Sequence, residues 1–205
     1  MNKLEKFALT LHRFVPDGFQ YHLAQLIVAA QVKFKIVNGR KTKLGDFRIG
    51  PMYQLPIITV NGDLNKYAFL ITALHELAHL NTFKKFGSGI SPHGLEWKNE
   101  YRNLLLPIIY SKNLPKDLED ALLKSVTKIK AASCSDIQLS RVLQKYDKES
   151  KDATIHLEDI TEGLTFSING KCFTKGKLRR SRYLCYEIIT NRPYLIHRFA
   201  KIKIT

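Results

Sequence analysis

Apolar side chains recur every three or four residues through the first two thirds of the chain, which is the period of an amphipathic helix. Near the start, Leu4, Phe7, Ala8 and Leu11 follow this spacing. The pattern predicts helices at approximately residues 3–14, 17–31, 66–86, 93–110, 114–132 and 136–146.

Between the second and third predicted helices, the pattern changes to short apolar runs separated by turn residues. Phe34 and Ile36 alternate with lysines, and the run 57–60 ends at an Asn-Gly pair. The Asn-Gly pairs at 38–39 and 61–62 favour the positive φ of tight hairpin turns. We therefore expect a short antiparallel sheet here.

Beyond residue 148 the chain is rich in β-type sequence. Short alternating or apolar runs are separated by Asn169-Gly170, Gly176 and the segment 191–193, which predicts a small β meander. The predicted strands are 164–168, 183–189, 194–196 and 202–204. The chain is thus predicted to be α+β, with a mainly helical domain over 1–148 and a small β-rich region over 149–205.

The segment His75-Glu76-Leu77-Ala78-His79 carries the clearest chemical signal. On a helix, residues four apart project from one face, so His75 and His79 can reach one metal ion with Glu76 beside it. Leu70, Ala73, Leu74, Leu77 and Leu80 form a separate apolar stripe. The histidine face is therefore free to line a cavity.

A catalytic zinc ion needs a third protein ligand and an open position for water. His93 is the best candidate, because it follows a glycine-containing loop and opens the next predicted helix. The alternative is that His93 is only a surface residue at a helix start. The other histidines are scattered along the chain, and we expect structural or surface roles for them.

The run LHELAHL, followed by a loop and then PHGLEWKNEYRNLLLP, resembles the metallopeptidase core of the SprT-like family, which includes bacterial SprT and the eukaryotic DNA–protein crosslink protease Spartan. Upstream, KLGDFRIG and IITVNGDLN are similar to the β hairpin that precedes the metal helix in that family. The resemblance spans approximately residues 15–110.

This resemblance implies a zincin-like core and one catalytic Zn²⁺ held by His75, His79 and His93. It further implies that Glu76 is the catalytic acid/base and that Glu96 is a neighbouring or substrate-site residue. The expected reaction is hydrolysis of a protein or peptide by zinc-activated water, with DNA-associated proteins as one substrate class.

Two other functions remain open. One is a non-catalytic nucleic-acid-binding protein with a structural or vestigial metal site, although a structural site has no need of Glu76. The other is a metal hydrolase that cleaves a non-peptide bond, because the motif specifies the ion and the water but not the substrate.

The C-terminal region departs from the paired C-x-x-C zinc ribbon that many SprT-like proteins carry. Its only cysteines are Cys172 and Cys185, and neither has a partner at ribbon spacing. We therefore expect a degenerate, ribbon-like β region without a second zinc ion. A disulfide between these cysteines is the alternative, which a reducing compartment disfavours.

Charge is unevenly distributed along the chain. The net charge is +15, yet residues 51–100 carry four basic and four acidic groups, whereas residues 151–205 carry eleven and five. A basic segment interleaved with Phe173 and Tyr183 predicts a DNA-binding hairpin that grips phosphates and stacks bases. The alternative is a solvated strand edge protected by its charges. The candidate binding residues are Lys171, Lys175, Lys177, Arg179, Arg180 and Arg182.

The sequence predicts a cytoplasmic protein with no membrane partner. The first 15 residues include Lys3, Glu5, Lys6 and Arg13, so they lack the apolar core of a secretion signal. The most apolar stretch, 22–32, is far below membrane-spanning length.

Overall fold

The computed structural model describes residues 2–40, 42–50, 54–127, 129, 136–147 and 155–204. The chain divides into two compact units, Met1–Asp147 and Lys148–Thr205. Both helices and β-sheets are present, so the α+β class is confirmed. Among the described residues, none of the helices is long and apolar enough to cross a bilayer.

The first unit contains helices and one small sheet. Its elements are α1 Lys3–Leu11, α2 Gln20–Ala29, β1 Lys33–Val37, β2 Gly45–Arg48, β3 Ile57–Asn61, α3 Lys66–Phe86, α4 Leu95–Ile109, α5 Lys116–Thr127 and α6 Ile137–Gln144. Helix α1 packs on α2, α3 on α4 and on β2 and β3, and α5 on α6. Of the predicted helix 114–132, residues 128 and 130–132 lie outside the described residues.

Helix α3 lies at the centre of this unit. The Asn65 side chain caps its start by accepting a hydrogen bond from the Ala68 N–H at 2.9 Å. Five apolar side chains on the helix are at most 1% exposed, as its predicted stripe requires: Leu70, Ala73, Leu74, Leu77 and Leu80. The unit's core therefore holds α3 in place and fixes the direction of its histidine face.

The sheet of the first unit is mixed, so the expectation of a purely antiparallel sheet was wrong. Its order is β1-β3-β2. Strand β1 pairs in parallel with β3, with Lys33 opposite Ile57, whereas β2 pairs antiparallel with β3, with Gly45 opposite Val60. The KLGDFRIG and IITVNGDLN segments do form the expected antiparallel pair.

Neither Asn-Gly pair makes the predicted tight hairpin. The pair at 38–39 follows β1, which pairs with β3 rather than with the next strand, and the pair at 61–62 leads from β3 towards α3. The Asn61 side chain is instead buried, and its amide donates to the carbonyls of Arg40 and Lys43 at 3.1 and 3.0 Å. The Asn61 side chain thus ties the backbone of Arg40 and Lys43, which precede β2, to the end of β3.

The second unit is a six-stranded antiparallel sheet. Its strands are β4 Ile155–His156, β5 Thr165–Ile168, β6 Lys171–Arg179, β7 Arg182–Glu187, β8 Pro193–His197 and β9 Lys201–Ile204. Strands β5 to β8 form a meander, although β6 was not among the predicted strands. Strand β9, which was predicted as the last strand of the meander, instead pairs between β4 and β5. Gly176 does not separate strands, because it lies inside β6 at a register irregularity.

The second unit has its own small core. Its buried members are Leu157, Ile160, Phe166, Phe173, Cys185 and Ile202. Cys185 is fully buried and Cys172 half-buried, and both are free thiols, so the alternative disulfide is not formed. Cys134 lies outside the described residues.

Candidate metal centre

Three imidazoles converge in the first unit. His75 and His79 project from one face of α3, and His93 approaches them from the loop before α4. The Nε2 atom of His75 is 3.2 Å from that of His79 and 3.4 Å from that of His93. The ligand atoms of all three lie within 4.8 Å of one another. The structure therefore brings together the three histidines that the sequence suggested.

The distances between the imidazole nitrogens suit a tetrahedrally coordinated metal ion. Zinc–nitrogen bonds of about 2.0–2.1 Å place two nitrogen ligands about 3.3–3.4 Å apart around a tetrahedral centre. The two closest nitrogen pairs match that spacing, and imidazole is a preferred zinc ligand. The residues present thus fit a zinc ion.

Burial favours the neutral imidazoles that can ligate a metal. Desolvation, helped by the neighbouring imidazoles, lowers the pKa of His75 to about 3 and that of His79 to about 4. Burial also lowers the pKa of His93. All three rings are therefore neutral at pH 7 and offer nitrogen lone pairs.

Glu76 lies beside this cluster and is also buried, at 7% exposure. Burial raises the pKa of its carboxyl to about 7, and repulsion from Asp46 adds to the rise. A hydrogen bond from the Phe47 backbone and the charges of Arg40 and Lys43 oppose the rise. Near neutral pH the group can therefore both accept and release a proton.

Strand β2 forms the cavity wall opposite helix α3. Gly45, on this strand, faces Glu76 so closely that a Cβ at position 45 would lie 2.6 Å from Oε1. The Phe47 ring is parallel to the His79 imidazole, with an interplanar angle of 4° and centroids 6.4 Å apart. Gly45 and Phe47 therefore shape the site, although the sequence argument had not singled them out.

The Trp97 ring packs against all three imidazoles. The sequence did not single out Trp97 as a site residue. It is fully buried, with its ring centroid 4.7 Å from those of His75 and His93 and 5.3 Å from that of His79. Tyr101 stacks on Trp97 at 5.0 Å. The sequence signal for Trp97 was its place in the run PHGLEW, in the first turn of α4.

A cavity of about 580 Å³ opens onto these groups. Its described lining includes His75, Glu76, His79 and His93, with Gly45, Asp46 and Phe47 from β2. Glu96 is not among the lining residues; it lies in the first turn of α4, with Oε2 3.1 Å from where a Cβ on Gly94 would be. Glu96 is thus near His93 in the chain but outside the cavity wall.

The six basic candidates of the second unit lie in different environments. Lys177, Arg179, Arg180 and Arg182 are exposed around the β6–β7 turn. Lys171 is also exposed, but it forms an ion pair of 2.8 Å with Glu187.

Lys175 does not belong to the exposed basic group, so its assignment to DNA binding was wrong. It is 4% exposed, and its Nζ donates to the carbonyls of Ile160 and Glu158 and lies 3.9 Å from the Tyr183 ring centroid. Phe173 is likewise buried at 4% exposure, so it cannot stack a base. Side chains two apart on a strand share a face, and this face is the core.

Comparison with known proteins identifies no relative: the chain matches no protein-family model, no curated protein and no solved structure.

Proposed function

We propose that this chain is a zinc-dependent peptidase of the SprT-like type, with a zincin-like first unit. The single observation that supports this most strongly is the convergence of three neutral imidazoles with a buried carboxyl in one cavity. A purely structural site would not need Glu76 beside its ligands. Proteins associated with DNA are the substrates that the SprT-like resemblance suggests.

Each residue of the cluster has a role in this proposal. His75, His79 and His93 hold Zn²⁺, which when bound lowers the pKa of a water molecule and polarises a carbonyl group. Glu76 accepts the proton of the attacking water and afterwards donates it to the leaving amine.

The position of β2 favours an extended peptide as the substrate. This strand is at the edge of the sheet, paired with β3 on one side, and its residues Gly45, Asp46 and Phe47 line the cavity. An edge strand can bind an extended segment through backbone hydrogen bonds. Such pairing would carry a peptide bond past Glu76.

A second candidate function is nucleic-acid binding by the second unit, either recruiting the peptidase or as the activity of a non-catalytic protein. It is supported by four cationic side chains at one hairpin, Lys177, Arg179, Arg180 and Arg182. The described residues place no carboxylate in an ion pair with any of these four. A solvated, protective strand edge remains the alternative for this surface.

Zinc content and proteolysis test the leading proposal together. The purified chain should hold one zinc ion, and cleavage of casein or of the chain itself should be measured with and without single-stranded DNA. Glu76→Gln should keep zinc and lose at least about 100-fold in cleavage rate. Glu119→Gln, at a carboxylate that pairs with Lys116 on α5, is the matched control. Unchanged cleavage by Glu76→Gln would exclude the mechanism.

A further inference from the structure

Part of the cavity wall is apolar. Its apolar side chains are Phe47 from β2, Ile49 just after β2, Phe83 from α3, and Ile90 and Pro92 from the loop between α3 and α4. The remaining described lining between residues 82 and 92 consists of threonine, serine and glycine. The ionisable lining residues are Lys43, Asp46, Glu76 and the three histidines.

This apolar part of the wall adjoins the histidine cluster. Phe83 lies one helical turn beyond His79 on α3. The Phe47 ring lies between them, with its centroid 6.4 Å from that of His79 and 6.1 Å from that of Phe83. A group bound against Phe47 and Phe83 would therefore lie beside the reacting centre.

Phe83 and Ile90 are not accounted for by the folding core. Both are half-buried, but neither belongs to the first unit's described hydrophobic cluster, whereas Phe47 packs against that cluster. The two side chains instead border the cavity. Apolar surface that lines a cavity without joining the core is available to a ligand.

We infer that the part of the cavity bordered by Phe47 and Phe83 is a specificity pocket for a large apolar side chain of the substrate, next to the bond that is cleaved. This inference rests on the proposed function and names the substrate class: peptides with Leu, Phe or Met at that position. A charged side chain would lose water there without gaining a counter-ion, since Phe47, Phe83 and Ile90 offer none. Burying a leucine-sized group should favour the apolar substrate by about 10- to 100-fold.

The test begins with the zinc content of the full chain, because less than stoichiometric zinc would overturn both the peptidase and its pocket. Otherwise, kcat/KM is measured for a peptide series that differs only at the position next to the cleaved bond, with Leu, Phe, Lys or Glu. We expect Leu and Phe to exceed Lys and Glu by at least about tenfold. Equal values for all four peptides would overturn the pocket while leaving the peptidase intact.

Binding of zinc-directed inhibitors gives an answer that does not require catalysis. The affinity of the zinc-loaded chain is compared for acetohydroxamate and for a hydroxamate carrying an isobutyl or benzyl group. Tighter binding of the larger compound by at least about tenfold supports the pocket even if no peptide is cleaved. Equal affinities contradict it.

Substitutions of Phe83 and Ile90 test whether these two lining side chains determine the preference for apolar groups. Phe83→Lys and Ile90→Lys should each abolish the preference for apolar groups, and Phe83→Lys should shift it towards Glu. The matched control is Phe86→Lys, since Phe86 lies on the same helix at 51% exposure and is not among the described lining residues. An unchanged preference in both wall variants would overturn the assignment.

Discussion

Gly45 on strand β2 directly faces Glu76 on helix α3. A Cβ at position 45 would approach the Glu76 carboxylate oxygen to 2.6 Å and the Thr72 methyl carbon to 2.7 Å, distances that real Cβ atoms essentially never show. The strand and the helix can therefore lie this close only because residue 45 has no side chain. This close approach adds to the hydrogen bond from the Phe47 backbone in coupling the edge strand to the candidate acid/base.

Gly45→Ala should consequently reduce activity without removing zinc. The added methyl group must displace β2, or else move both Glu76 and the Thr72 methyl group, whereas the three histidines lie on α3 and the following loop. We expect a fall of about tenfold or more in the cleavage rate, because small displacements of catalytic groups carry large costs. Zinc per chain should remain unchanged.

Gly89→Ala is the matched control, because a Cβ at Gly89 would meet no heavy atom within 4 Å. It should leave both zinc content and cleavage at the wild-type level. Full activity in Gly45→Ala would show that the contact has no role in positioning Glu76.

The convergence of His75 and His79 was predictable because their spacing is local. The i, i+4 relation places His75 and His79 on one helix face whatever the rest of the fold, and the apolar stripe of α3 determines which face is buried. His93 was harder, since its approach depends on the course of the 87–92 loop. Here the glycine-containing loop was a sufficient signal.

The partners from β2 could not be predicted from local patterns. The strand order β1-β3-β2 depends on pairing between segments distant in the sequence, whereas an Asn-Gly pair signals only that the chain turns nearby. The lack of a side chain at Gly45 matters only because β2 packs against α3, and the local sequence does not reveal that packing. In the second unit, Lys175 was misassigned because the count of basic residues ignored the two-residue alternation of a strand.

His93→Ala should weaken zinc binding while leaving the fold intact. His93 is only half-buried and precedes α4, so its loss removes a ligand without emptying the core. We expect zinc affinity to fall by about 100-fold or more, measured by competition with a fluorescent chelator. Zinc should also raise the thermal midpoint of the wild type more than that of the variant.

His12→Ala is the control for this substitution. His12 has 59% of its side chain exposed and caps the end of α1, away from the described metal cluster. Its replacement should leave zinc affinity unchanged. Stoichiometric zinc at wild-type affinity in His93→Ala would remove His93 from the ligand set.

Acid should loosen the β6–β8 region of the second unit through Glu187. The Glu187 carboxylate accepts hydrogen bonds from Lys171 at 2.8 Å and from the Thr190 hydroxyl at 2.6 Å, and these lower its pKa from 4.5. Its ionised form therefore stabilises the folded state above about pH 4.5, and this contribution is lost as the pH falls below that value. Amide hydrogen exchange of β6–β8 should accordingly accelerate, relative to its intrinsic rate, between about pH 5 and pH 3.

Glu187→Gln should remove part of this pH dependence and should already exchange faster than the wild type at pH 7. The matched control is Glu162→Gln, an exposed carboxylate of the same unit. Identical pH profiles for the wild type and Glu187→Gln would mean that the Lys171–Glu187 pair contributes nothing to the stability of the sheet.

The β6–β7 hairpin carries three exposed arginines. If Arg179, Arg180 and Arg182 contact phosphates, replacing all three with Gln should weaken binding of single-stranded DNA and make it less sensitive to salt. Each lost phosphate contact lowers the slope of log K against log salt by about 0.7, so three contacts should lower it by about 2. Fluorescence anisotropy of a labelled oligonucleotide across a salt series measures both quantities.

Net charge alone would also weaken DNA binding, so the control must change charge equally. Replacing exposed Lys3, Lys6 and Lys124 of the first unit with Gln removes the same three charges elsewhere. A smaller salt slope confined to the arginine variant would assign the contacts to the hairpin, because counter-ion release depends on phosphates actually contacted. Equal slopes in the two variants would instead identify the hairpin charges as the solvated protection of a strand edge.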